Sequence, residues 1–457
     1  MVDAIQLAQG DEASGTVPGT GFPIATTIRD ALYDRIPLSQ PELSLVSTPA
    51  FLRLDRIQQL GFVSRVWPGA KHARYDHSLG VLHLTRLAVA HLRATAGGAW
   101  IADEEARVVT AAALLHDIGH YPFSHAIEEL GPPIVPHETV GARIIEGPQI
   151  APILRREWGV DPARVAAVVD PRGRDLAAAD RVLRGVLSGP LDMDKLDYLP
   201  RDARACNVPY GGVDGARLID ALRIVEPAAG GEPERRVAIG AKGVSPLHSL
   251  INARQEMFDN VYWHHTNRAC MAMLLRAVQD ALAEGALSPW ALTGLDDASL
   301  LAALADPAMP PSTRRLTAAL RERRFHKRGV EFSARAAELY GRLGNLYFDP
   351  AARREAELRL AAALAADLGT AVEPEAVLID IPKPEKWRTD VLVAFDAPPV
   401  GFTGLMAWKD VVGLTDDDFK RYEEHRRLIR IVVAAPYRDH LARTWERLLL
   451  PLLGGVF

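Results

Sequence analysis

The chain is 457 residues long, room for two or three domains, and its 48% apolar, 24% charged composition excludes a disordered or fibrous main state. A formal net charge of −5 leaves no global basic field for nucleic acid or anionic lipid. Two distant cysteines, Cys206 and Cys270, exclude a disulfide framework and a Cys-based zinc site.

Residues 1–24 carry Gly, Ser, Thr and Pro without periodicity and read as a flexible tail, with no apolar core of a secretory signal. From Thr27 to about Glu226 the pattern is mostly helical. Segments 79–94 and 106–120 space apolar residues three and four apart, and Asp103 is a candidate N-cap for the second. Gly/Pro clusters at GPPIVP, PRGRD and SGPLDMD separate helices. Residues 226–243 predict a short hairpin, and 245–278 one long helix. Residues 281–370 predict an Ala/Leu-rich helical extension interrupted at DPAMPPST. EAVLIDIP, DVLVAFD and LIRIVVAA read as strands of a small α+β lobe over 371–457. The expected architecture is therefore mainly α: an all-helical core at 25–280, the extension, and the C-terminal α+β lobe. No run of 18 apolar residues occurs, so no membrane partner is expected, nucleic acid is not the main partner, and a cytoplasmic location follows.

Histidine is unevenly spread. Eight of the 14 fall between His72 and His137, far more than even scatter would place there. Apolar helix faces do not ask for imidazole, so the excess points to chemistry. His77 stands in RYDHSLG, His116 and Asp117 in LLHDIGHYPFSH, and Asp194 in LDMDKLDY. His116 and His120 at i, i+4 on a helix would share a face, with Asp117 beside the first. Imidazole nitrogens with carboxylate oxygens suit a divalent transition metal and leave positions for water and substrate oxygen. The residues alone do not choose among Asp192, Asp194 and Asp197.

These motifs carry a resemblance. R-Y-D-H-S-L-G, then H-D-I-G-H-x-P-F-S-H, His137-Glu138 and D-M-D-K-L-D-Y-L-x-R-D resemble the HD-domain phosphohydrolases, and within them the deoxynucleoside triphosphate triphosphohydrolases. The likeness runs from about Thr27 to Asp202, and TPAFLRLDRIQQLG resembles the family's segment upstream of its first metal histidine. It implies an HD-domain core with His77, His116, Asp117 and Asp194 as ligands of Mn, Fe, Ni, Co or Zn, with Mg possible alongside a triphosphate. It implies that His120, His125 and His137 are pocket histidines with Glu128 as partner acid. His125 with Glu128 is the favoured proton-donating dyad and His137 a second donor, the reverse assignment staying open. Lys195 would contact phosphates, Tyr198 and Asp202 the sugar, Arg74 the α-phosphate and base, and Gln59 and Leu60 the deoxyribose edge.

Departures from the family pattern are equally specific. Ser47, Leu52 and Asp55 stand where members activated by a guanine nucleotide carry an acid, an amide and an arginine, so that activation is not expected here. The family's later phosphate-binding arginine has no counterpart, and His265 and Arg268 are the candidates in its place. The implied reaction is hydrolysis of a deoxynucleoside triphosphate to deoxynucleoside and triphosphate by water attacking the α-phosphorus. The alternatives are a nucleotidase or phosphodiesterase on monophosphates, cyclic nucleotides or nucleic-acid ends, and a non-catalytic nucleotide-sensing module. A homo-oligomer is expected, and the C-terminal lobe resembles one that regulates or assembles such enzymes.

Overall fold

The computed structural model describes residues 15–189, 191–227, 235–383 and 390–453. Most of the expected tail, the tip of the 226–243 hairpin and the last four residues of the expected lobe lie outside the described residues. The architecture is mainly helical, as expected, with three small sheets among the described residues. None of the described helices is long and apolar enough to cross a membrane.

The first described elements correct the helical expectation. Strand β1 (Ile24–Asp30) pairs antiparallel with β2 (Asp34–Ser39), bringing Asp30 opposite Asp34. Ile24, Thr26, Thr27 and Ile28 are β-branched, which favours strand over helix. Asp30 Oδ1 closes the turn by accepting the backbone N–H of Leu32 at 2.7 Å and of Tyr33 at 2.9 Å.

Behind the hairpin lie helices α1 (Arg74–Ala94) and α2 (Asp103–Leu115), both buried around most of their circumference at the centre of the largest apolar cluster. Helix α3 (His137–Ile145) follows, and α4 (Met193–Cys206) packs on α1. Helix α2 stops at Leu115, so His116 is its C-cap and His120 lies in the following loop rather than one helical turn along. Gly119 explains the tight course of this loop. A Cβ there would overlap the His137 carbonyl and the Gly141 backbone nitrogen of α3.

Strands β3 (Leu222–Val225) and β4 (Arg236–Gly240) form a hairpin, its first strand lying before the expected 226–243 span, in the stretch read as helical. The single long helix expected after it is two, α5 (Val244–Met257) and α6 (His265–Ala283). A π-turn at Phe258–Tyr262 interrupts them, and extended His264 restarts the helix by accepting the Thr266 N–H on Nδ1 at 3.3 Å. Strand β5 (Lys327–Phe332) lies inside the expected helical extension, before helix α7 (Pro350–Leu368).

The C-terminal strands β6 (Val377–Asp380), β7 (Leu392–Ala394), β8 (Leu405–Ala407) and β9 (Ile429–Val433) part company. β7 and β8 extend the β3–β4 sheet, with β4 parallel to β7, while β9 sits between β5 and β6. Both sheets thus cross the boundary near 371 drawn from composition. Helix α8 (Arg438–Leu453) and α7 cover the second sheet over an apolar cluster of its own.

The Gly119 contact is testable. Gly119→Ala should lower the unfolding free energy by about 3 kcal/mol, because backbone blocks the new methyl and cannot move aside. Gly294→Ala, where nothing lies within 4 Å, should change it by less than about 0.5 kcal/mol. Denaturant titration of the two variants separates them.

Candidate metal centre and active-site cavity

α1, the end of α2 and the start of α4 bring four donors to one place. His77 Nε2 lies 3.0 Å from Asp194 Oδ1 and 3.7 Å from Asp117 Oδ2. His116 Nε2 lies 3.2 Å from Asp117 Oδ1 and 4.0 Å from Asp194 Oδ1. The remaining nitrogens are fixed from behind. His116 Nδ1 meets the Ala113 carbonyl at 2.8 Å and His77 Nδ1 meets Asp197 Oδ2 at 2.7 Å, so both Nε2 atoms face the carboxylates. Buried His116 Nε2 makes no hydrogen bond. Two imidazoles and two carboxylates converging this way fit a divalent transition metal.

The three acids of LDMDKLDY separate by role. Asp192 N-caps α4 and holds the Lys195 ammonium at 2.7 Å, Asp194 faces the imidazoles, and Asp197 lies fully buried behind His77. Burial opposes ionisation of Asp194, but the hydrogen bond to His77 and the charges of His77 and His116 hold it at about 2. Burial likewise disfavours the His77 imidazolium, yet Asp194 and Asp197 raise it to about 10. Burial is outweighed at Asp117 too. The charge of Arg74, whose guanidinium pairs with it, keeps its carboxyl well below the usual range.

A second cluster stands beside the first. Ser124–Leu130 is a 3-10 helix, in which residues three apart eclipse, so Glu128 comes directly under His125. Glu128 Oε2 meets His125 Nδ1 at 2.9 Å, and its Oε1 meets both the Nδ1 and the backbone N–H of His137, at 2.9 and 2.8 Å. Burial and the Glu128 charge act oppositely on His137, and the carboxylate wins, raising it to about 9. His120 stacks on His137 at 3.8 Å. Burial, with Arg74 and His137 nearby, pushes it well below the usual imidazole value, so it is neutral.

Two long-range contacts hold the connecting loop, and sequence reading missed both. Buried Arg53 donates to the carbonyls of Ile118 at 3.1 Å, His120 at 2.7 Å and Leu295 at 2.8 Å. Asp297 accepts the backbone N–H of Phe123 at 2.6 Å and of Gln58 at 3.0 Å, holding Phe123 and Ser124 at φ of 57° and 58°.

Both clusters open onto one cavity of about 490 Å³. Gln59, Leu60, Arg74, Lys195, Tyr198, Asp202 and Arg268 line it together with His116, Asp117, Asp194, His125, Glu128 and His137, while buried His77 and His120 lie behind the lining, with Nε2 3.0 Å from Asp194 and 3.2 Å from Asp117 respectively. Several expected substrate contacts are engaged within the protein. Asp202 bonds His72 Nε2 at 2.8 Å and accepts the Tyr262 hydroxyl at 2.7 Å. Arg268 lines the cavity with its buried guanidinium clamped by Glu129 at 2.8 and 3.0 Å and by Asp380 of β6 at 2.6 Å. His265 is the correction. It lies outside the cavity lining, its ring 4.3 Å from that of His264, and burial plus the charges of Arg328 and Arg430 lower its pKa. Arg184, Arg254, Tyr262 and Lys383 also line the cavity, and no motif marks them in the sequence. Asp197 could have been found through its i, i+4 pairing with Arg201.

Comparison with known proteins places these residues. A model described as HD domain matches residues 74–185, and one described as HD associated region matches 213–396. An uncharacterized protein of Methanocaldococcus jannaschii is 30% identical over 278 residues, 61% of this chain and 54% of that one. An uncharacterized protein of Bacillus subtilis is 33% identical over 238 residues, 52% of this chain and 51% of that one. Deoxynucleoside triphosphate triphosphohydrolase SAMHD1 of Homo sapiens is 26% identical over 279 residues, 55% of this chain and 44% of that one. The chain spans about half the length of the curated relatives it matches. The crystal structure of a hypothetical protein from Aquifex aeolicus superposes with a TM-score of 0.69 at 24% identity, covering 92% of this chain and 99% of that one, and supports the fold. His77, His116, Asp117 and the Glu128 histidine pair lie inside the matched stretch, so these residues belong to an HD domain at 74–185 that is followed by an HD-associated region, in a chain similar over part of its length to a deoxynucleoside triphosphate triphosphohydrolase.

Proposed function

We propose that the chain is a divalent-metal-dependent phosphohydrolase that converts a deoxynucleoside triphosphate to deoxynucleoside and triphosphate. One observation carries the reading: His77, His116 and Asp194 converge, with Asp117 beside them, at one wall of a cavity whose next wall holds a carboxylate-clamped histidine pair. His77, His116, Asp117 and Asp194 would hold the cation, any of Mn, Fe, Ni, Co or Zn matching the donors. When bound, the cation acts as Lewis acid toward the phosphate and lowers the pKa of the attacking water.

The residues of the chain supply the rest. As the bond between the α-phosphorus and the 5′-oxygen breaks, that oxygen needs a proton. His125 is the donor in this reading, because Glu128 holds its Nδ1 and the ring remains open to solvent for reprotonation. His137, cationic at neutral pH beside Glu128, would stabilise phosphate charge. Arg74, Arg184, Lys195, Arg254 and Lys383 bring further positive charge to the cavity, and Leu60, Tyr198 and Tyr262 offer surfaces for sugar and base. A homo-oligomeric cytoplasmic enzyme completes the reading.

A second reading has an observation in its favour. Arg74, Lys195 and Arg268 are each bound to carboxylates, which suits a smaller phosphate load such as a monophosphate or cyclic nucleotide. A panel of dNTPs, NTPs, dNMPs and cyclic nucleotides with Mn²⁺, Mg²⁺, Co²⁺ or Ni²⁺, with products resolved, separates the two. Deoxynucleoside with tripolyphosphate is the expected product, and orthophosphate alone overturns the first reading. His116→Ala and Asp117→Ala should each abolish bound metal and turnover together, checked by metal analysis beside kinetics.

The pH dependence follows from Glu128. The His137 value of about 9 lies above its ordinary 6.5, so the stabilisation it brings is complete below pH 6.5 and is lost as pH rises through 9. The part of kcat/KM that depends on the His137 charge should therefore be lost near pH 9. Glu128→Gln removes the charge that holds the proton and should move that loss down to about pH 6–7, near an unperturbed imidazole. A pH–rate profile of both proteins measures the displacement.

A further inference from the structure

His77 is oriented by a chain of contacts that leads out of the matched domain. Asp197 Oδ2 holds His77 Nδ1 at 2.7 Å. The same carboxylate accepts Arg201 Nε at 2.8 Å and Nη2 at 2.9 Å, and its Oδ1 accepts the Tyr33 hydroxyl at 2.9 Å. Arg201 turns its other side to Asp30, with Nη1 2.8 Å from Oδ2. Asp30 and Tyr33 form the turn between β1 and β2, and the Asp30 oxygen that closes this turn lies 3.4 Å from Arg201 Nη2. The Arg201 guanidinium carbon also sits 5.7 Å from the centre of the Tyr33 ring.

A second, independent feature shows that this network is accommodated by the fold. Gly80 lies three residues after His77 on α1, and a Cβ there would overlap the Asp197 carboxylate and crowd Arg201 Nη2 at 2.5 Å. The helix that presents His77 thus leaves open the space that Asp197 and Arg201 occupy.

We propose that the N-terminal hairpin is part of the metal centre. Asp30 and Tyr33 are positioning residues that, through Arg201 and Asp197, hold the His77 imidazole with Nε2 toward the cation. The inference rests on His77 and His116 being metal ligands. Carboxylate partners of metal-binding histidines set ligand orientation and basicity, and their loss typically costs 10- to 100-fold in affinity. Without its Tyr33 bond or the Asp30 anchor, the pair behind His77 keeps its charge and loses its fixed geometry.

The test reads metal binding directly, by Co²⁺ absorption and chelator competition on the full chain, with circular dichroism to check folding. Asp197→Asn should weaken Co²⁺ binding by about 10- to 100-fold, and Tyr33→Phe and Asp30→Asn each by about 5-fold. Folded Tyr33→Phe and Asp30→Asn proteins that bind Co²⁺ within two-fold of the parent overturn the proposal. The unmodified chain gives a check free of variant folding: by linkage, Co²⁺ should slow amide hydrogen exchange across residues 24–39, and exchange there that ignores the cation overturns the proposal. His116→Ala separates the premises. If it binds Co²⁺ as tightly as the parent, the metal-centre reading itself falls; if it abolishes binding while the hairpin variants bind normally, only the hairpin's part falls.

Discussion

An imidazole can face a cation or a leaving group with one nitrogen only if its other nitrogen is held, and most of this site follows from that requirement. Asp197 stands behind His77, Glu128 behind both His125 and His137, and the Ala113 carbonyl behind His116. A carboxylate placed for this purpose beneath a cavity is removed from water, and an ionised group there is tolerated only when it is itself paired and hydrogen-bonded. Asp197 is satisfied by Arg201 and Tyr33, and Glu128 by two imidazoles and a backbone N–H. His77 therefore recruits partners three contacts deep, and Gly80 on its own helix leaves room for them.

That depth explains what could be read from the chain. The helical core, the second strand of the hairpin before α5 and the three C-terminal strands were legible, because each is a local run of apolar residues at helical or strand spacing. The motif histidines were legible through their density and company. The β1–β2 hairpin was not: both faces of β1 are largely solvent-exposed, so no alternation marks it. The break between α5 and α6 carries no Gly or Pro over Phe258–His264, which removes the usual signal. The stop of α2 at Leu115 was announced only by Gly119, whose reason lies across the loop in α3.

The residues that sequence reading missed share a property: their partners are far away in the chain. Arg53 holds a loop 65 and 67 residues later and the Leu295 carbonyl 242 residues later, and Tyr262 donates to Asp202 from 60 residues away. Nothing in a local pattern announces such pairs. The choice among Asp192, Asp194 and Asp197 is the same problem at short range. All three sit within one and a half helical turns, and only the direction each side chain takes from α4 gives one to the helix cap, one to the cavity and one to the space behind His77.

The charge balance of the chain gains meaning in this setting. A net charge of −5 cannot gather an anion from a distance, so attraction has to come from charges buried in the cavity wall, where the dielectric is low and screening weak. Yet the cavity lining carries acids as well as bases, and most of its cations with resolved contacts are already bound to a carboxylate or a carbonyl. Such cations are oriented before any ligand arrives, which lowers the reorganisation needed on binding. Arg268 goes further. Its guanidinium forms part of the cavity wall while its charge is shared between Glu129, next to the histidine-clamping Glu128, and Asp380 of β6. In the proposed reading, a phosphate oxygen approaching that wall would meet an arginine whose charge is already balanced, which leaves the attraction there to a cation held by the donor set and to His137.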